Sequence, residues 1–91
     1  MGDRYIPVDV LCKFEGRPCE APTPVKFRIT RQDGSRTTIN VDQVKDVSHE
    51  ADMSNHTIKY RCITTQGQRQ VEYELRYVLK YMKWDLRMIS S

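Results

Sequence analysis

The apolar residues of this chain recur mostly every second position. In "IPVDVLCKFE", Ile6, Val8, Val10, Cys12 and Phe14 alternate with Asp9, Lys13 and Glu15, the period of a half-buried strand. "GRPCEAPTP" follows, with three prolines and a glycine in nine residues. Proline fixes φ and lacks a backbone donor, so a semi-rigid loop is expected there. "VKFRITRQDGSRTTINV" predicts a hairpin. A two-residue loop at Asp33-Gly34 would mix its faces. A three-residue loop at Gln32–Gly34 sets Phe27 opposite Ile39 and Val25 opposite Val41, with glycine third, where a left-handed residue closes the turn. In "DQVKDVSHEADMSNH", Val44 and Val47 suit a turn of helix or an irregular edge, and the rest reads as exposed loop.

A second hairpin is expected in "TIKYRCITTQGQRQVEYEL". A two-residue turn at Gln66-Gly67 would place Cys62 opposite Val71, Tyr60 opposite Tyr73 and Ile58 opposite Leu75. On the other face Arg61 would meet Glu72 and Lys59 would meet Glu74. Apolar and oppositely charged cross-strand pairs both stabilise a sheet.

Two readings compete for "VEYELRYVLKYMKWDL", residues 71–86. Val71, Leu75, Val78, Leu79, Met82 and Leu86 follow a helical period. Against that, Val71, Tyr73, Leu75 and Tyr77 alternate on odd numbers, whereas Trp84, Leu86 and Met88 alternate on even ones. A change of parity across 78–83 is what a turn between two strands produces, and a helix would discard the hairpin pairing. Strand–turn–strand is the better reading.

Five strands are therefore expected, near 5–15, 25–31, 36–42, 57–65 and 69–77, with a sixth near 84–89. Ninety-one residues make one domain, residues 1–91, with one modest core. The predicted class is all-β: a small five- or six-stranded antiparallel barrel of SH3-like or split-barrel type, because closure removes exposed edges.

The segments "PVDVLCKFEGRPCEAPTPVKFRI", "TINVDQVKDV", "IKYRCITTQG", "LRY" and "KWDL" occur in an order that resembles a group of short, uncharacterised bacterial proteins of Gram-positive type with small β-barrel structures. The resemblance covers most of the chain. It implies an all-β barrel and carries over no functional residue.

The net charge of +3 comes from 15 basic and 12 acidic residues, interleaved rather than clustered, which describes a solvated surface. The start, "MGDRYIPVDV", lacks the apolar run of a secretory signal, and no stretch reaches a membrane span. A cytoplasmic protein with no membrane association is expected. The three cysteines are odd in number, so reduced thiols rather than a disulfide framework are expected. Cys12 and Cys19 are seven apart, as are His49 and His56. Neither spacing is that of a zinc site, so neither metal nor cofactor is expected. Catalysis would need Cys19 beside His49 or His56, and Glu20 works against a thiolate there. The glycines in "EGRP", "QDGS" and "TQGQ" mark turns, not a phosphate loop.

Two binding classes remain. A non-catalytic protein-interaction or structural module, with a protein partner or self-association as a homodimer, would use Tyr77, Tyr81 and Trp84. The alternative is a single-stranded nucleic-acid binder with a mildly basic face of Lys26, Arg28 and Arg31.

Overall fold

The computed structural model describes residues 5–13, 22–51 and 55–89. They form seven antiparallel strands: β1 (Ile6–Lys13), β2 (Thr23–Thr30), β3 (Arg36–Asn40), β4 (Gln43–Ala51), β5 (His56–Gln66), β6 (Arg69–Val78) and β7 (Lys83–Met88). The strand order is β3-β2-β1-β7-β6-β5-β4. The all-β expectation holds, with seven strands in place of five or six.

The order places β3 and β4 at opposite ends of the sheet, yet only Val41 and Asp42 separate them. So short a link forces the two ends together. Val41 N–H still donates to Val25 O at 2.9 Å, whereas Asp42 N–H already donates to Ile63 O at 3.1 Å on β5. The Asp42 carboxylate then accepts from Thr65 N–H at 2.6 Å. The sheet is thus curled into a half-barrel, drawn together at this corner.

The inner face carries the core of Phe27, Ile58, Tyr60, Cys62, Tyr73, Leu75, Trp84 and Leu86. Tyr60 and Tyr77 both stack on Trp84, with centroids 5.4 and 4.8 Å apart, and Phe27 packs on Tyr73 at 5.2 Å. Tyr60 satisfies its buried hydroxyl by donating to Pro22 O at 2.5 Å. The outer face of β6 and β7 is charged. Arg76 pairs with Asp85 at 2.7 Å and Arg87 with Glu74 at 3.1 Å. Tyr5 lies across both pairs, its hydroxyl donating to Glu74 and its ring 3.7 Å beneath the Arg76 guanidinium carbon.

The first hairpin has the expected register. Phe27 lies opposite Ile39, Gly34 adopts φ +89°, and Arg31 N–H donates to Ser35 O at 2.8 Å. The second is displaced by two. Its loop is Gly67-Gln68, so Cys62 faces Tyr73, Tyr60 faces Leu75 and Ile58 faces Tyr77. Arg61 faces Glu74, and Lys59 faces Arg76 instead of Glu74. The shift leaves every side chain on its expected face but replaces the charge ladder. Lys59 bonds Glu50 on β4 at 2.7 Å, and Arg61 reaches Glu72 diagonally at 3.6 Å.

Residues 71–86 are strand, turn and strand, with Val78 opposite Lys83 around a four-residue loop. Strand β4 forms where a turn of helix or an irregular edge at Val44 and Val47, followed by exposed loop, was expected. Of its nine residues only Val44 and nothing else is even half-buried, so no burial imposes a period-two pattern. Its pairing with β5 holds it extended, with a register shift between Val44 and Asp46. Most of the expected proline-rich loop lies outside the described residues. Its end joins β2: Pro24 pairs with Cys12 beside a bulge at Leu11/Cys12, a position where a strand tolerates a missing donor.

Candidate functional site: the open mouth of the half-barrel

Beside the closed corner, the inner face opens into a concavity of about 270 Å³. Phe27 and Ile29 from β2, Ile39 from β3, Val71 and Tyr73 from β6, and Leu86 and Met88 from β7 line it. Each belongs to the inward set of its strand, so alternation alone aims these side chains at one point. Ile29, Ile39 and Val71 are only partly covered, and Met88 is 55% exposed. Gln66 and Arg69 flank the β5–β6 turn and supply a polar rim.

The polar floor of the mouth is Thr64 and Tyr73. Thr64 Oγ1 donates to Asn40 O at 2.6 Å and lies 2.5 Å from the Tyr73 hydroxyl. Burial pushes the Tyr73 phenol up to about 12, despite the opposing effect of the Thr64 contact. Burial likewise pushes the Cys62 thiol up to about 12 and raises Cys12. Both described thiols are therefore held protonated, the opposite of what a nucleophilic cysteine needs.

The three aromatic residues proposed from the sequence do not make one surface. Trp84 is buried between Tyr60 and Tyr77, and Tyr77 is half-buried against it. Tyr81 alone projects, 62% exposed on the β6–β7 turn. Lys80 and Lys83 place their ammonium groups 5.6 and 5.8 Å from its ring. Lys26 and Arg28 lie on the outer face of β2, where Arg28 pairs with Asp9 at 2.8 Å. Arg31 follows that strand and donates to Thr37. Lys26 and Arg28 thus lie on the face of the sheet opposite the aromatic stack, whereas Arg31 reaches Thr37, the partner of inward-facing Ile29.

Cys19 lies outside the described residues. His49 and His56 come together across β4 and β5, His49 Nδ1 lying 3.2 Å from His56 Nε2. Among the described residues no group of three or more His, Cys, Asp or Glu side chains is placed to hold a metal. No described helix is long and apolar enough to cross a membrane.

Comparison of the chain with protein-family models, with curated proteins and with solved structures finds no match in any of the three.

The mouth was legible residue by residue but not as a site. Ile29, Ile39, Val71 and Met88 all carry the inward parity of their strands. What sequence alone lacked was the order of strands, which decides that these four meet where the sheet fails to close.

Proposed function

We propose that the protein is a non-catalytic interaction module whose open mouth seats an apolar segment of a protein partner in extended conformation. The observation that carries this reading is the partly uncovered apolar lining of the mouth beside β3. Among the described residues that strand pairs with β2 on one side and with no strand on the other. An added strand bonding to the free edge would place alternate side chains against Ile29, Ile39 and Met88. Closure at one corner favours the split-barrel type. The free thiols of Cys12 and Cys62 accord with a reducing cytoplasm.

Binding of single-stranded nucleic acid is the weaker reading. Base stacking and phosphate contact need aromatic and basic groups on one surface, whereas Lys26 and Arg28 are separated from the Trp84 stack by the thickness of the sheet.

The test is selection of a displayed random peptide library on the full chain. Aliphatic-rich peptides should emerge. Their binding should fall at least about tenfold in Met88→Glu, equivalent to about 1.4 kcal/mol, and stay unchanged in the double variant Lys26→Glu, Arg28→Glu. Oligonucleotide binding that falls steeply with salt and disappears in the double variant would sink the proposal. A stable dimer in light scattering, dispersed by Met88→Glu, would make the occupant a second copy of this chain.

A further inference from the structure

His49 and His56 are joined through their ring nitrogens at a separation that two imidazole ligands of one metal ion would also have. His49 and His56 lie on the inward-facing parity of the β4–β5 pair, opposite Ile58 and Ala51 respectively. Their ring nitrogens Nδ1 and Nε2 stand 3.2 Å apart, with ring centroids at 5.4 Å. Metal–imidazole bonds of about 2.0–2.1 Å require two nitrogens on one ion to be about 3.3 Å apart in tetrahedral geometry. For adjacent ligands of a square-planar ion the figure is about 2.9 Å. The observed spacing falls between them. Exchanging the shared proton for a metal ion therefore needs rotation of the rings but little movement of the strands.

A second observation points to the same place. Asn55, next to His56, buries its side-chain oxygen Oδ1 without a hydrogen-bond partner. A buried carbonyl oxygen left in this state costs about 1–3 kcal/mol. Asn55 and His49 line the same concavity, with Glu50, Ala51 and Thr57. Glu50 is already engaged by Lys59 at 2.7 Å, whereas the buried Asn55 oxygen has no partner.

We infer that His49, His56 and Asn55 form a binding site for a late first-row divalent metal ion such as Zn²⁺, Ni²⁺ or Cu²⁺. His49 Nδ1 and His56 Nε2 are the nitrogen ligands, Asn55 Oδ1 is an oxygen ligand, and water fills the remaining positions. Two imidazoles select these ions over Mg²⁺ and Ca²⁺, which prefer all-oxygen shells. The spacing of the two histidines in sequence is wider than in a zinc finger. It is the antiparallel pairing of their strands that makes them neighbours.

The test is titration of the full chain with ZnCl₂ and NiCl₂, followed by imidazole proton and nitrogen spectra, with MgCl₂ as control. The chain has only two histidines, so every imidazole signal belongs to the site. One-to-one saturable binding that shifts or broadens both rings together is expected, with no response to Mg²⁺. His49→Ala and His56→Ala should each abolish it while circular dichroism is unchanged, and Asn55→Ala should weaken it. Wild-type spectra in which neither ring responds overturn the site, whatever the variants do. Binding that persists undiminished in either histidine variant also overturns it. Unchanged affinity in Asn55→Ala overturns the oxygen ligand.

Discussion

Arg76 and Asp85 meet at 2.7 Å on the outer face of the sheet, across the β6–β7 pair, with the Arg76 guanidinium stacked on the ring of Tyr5. Asp85 is 4% exposed, so its carboxylate depends on the guanidinium for most of what water would otherwise supply. Removing one partner of such a pair strands the other in a poorly solvated place. Arg76→Ala, which leaves the Asp85 carboxylate buried and unpaired, should lower unfolding free energy by about 3 kcal/mol, read from urea denaturation followed by Trp84 fluorescence. The Arg28–Asp9 pair is nearly as short, 2.8 Å, but its side chains are 44% and 69% exposed. Asp9→Ala should change stability by no more than about 0.5 kcal/mol. Equal losses in the two variants would contradict this account.

Alkaline pH should unfold the protein in a defined window. Burial raises Cys62 from an ordinary value of 9.0 to about 12, and Tyr73 from 10.0 to about 12. Both groups are neutral when protonated, and the folded state holds the proton more tightly than the unfolded state does. Their contribution is therefore fully present below pH 9 and is lost as pH rises from about 9 to about 12. Each group contributes at most about 1.4 kcal/mol per pH unit in that window. Stability measured by urea titration should be flat from pH 7 to 9 and then fall. Cys62→Ala should reduce, without removing, the slope between pH 9 and 10, where Cys62 and the likewise raised Cys12 contribute before Tyr73 does.

Positive φ angles make opposite predictions at two turns. Gly34 has φ +89° with open space where a Cβ would lie, so Gly34→Ala should cost about 1–2 kcal/mol from backbone strain alone. Met82 carries a side chain at φ +51° in the β6–β7 turn and is largely solvent-exposed. Met82→Asn places a residue that tolerates this region, and the midpoint of thermal unfolding should rise. A drop would mean that Met82 makes a stabilising contact that outweighs its strain.

Much of the architecture could be read from alternation, and the errors have a common physical origin. Faces were assigned correctly in both hairpins because burial rewards them strongly. In the β2–β3 hairpin, the competing loop would have mixed faces, so parity alone selected the register. In the β5–β6 hairpin the competing loops, 66–67 and 67–68, differ by two in register and bury the same side chains. Only the exposed Arg61–Glu72 and Lys59–Glu74 ladder distinguishes the expected register from the observed one on charge. Exposed ion pairs contribute little, and the register obeys the turn: Gly67, at φ +63°, occupies the first of the two loop positions, as a primed hairpin turn favours. Strand β4 was illegible because almost none of it is buried. The contact between His49 and His56 was illegible for a related reason, since the two meet only through the β4–β5 register.

The floor of the mouth offers the sharpest test of polar satisfaction. Thr64 Oγ1 serves two partners, Asn40 O and the Tyr73 hydroxyl. Tyr73→Phe deletes one hydroxyl and leaves Thr64 still donating to Asn40, so the expected cost is about 1 kcal/mol. Thr64→Val removes the shared atom and leaves the buried Tyr73 hydroxyl without that partner. An unsatisfied buried group costs about 1–3 kcal/mol beyond the lost bond. Thr64→Val should therefore be the more damaging change even though valine fills nearly the same volume. The double variant Thr64→Val, Tyr73→Phe should recover part of the loss, because both sides of the contact are then apolar. Urea denaturation of the two single variants and the double variant gives the coupling directly. Simple additivity would show that the two hydroxyls do not depend on each other.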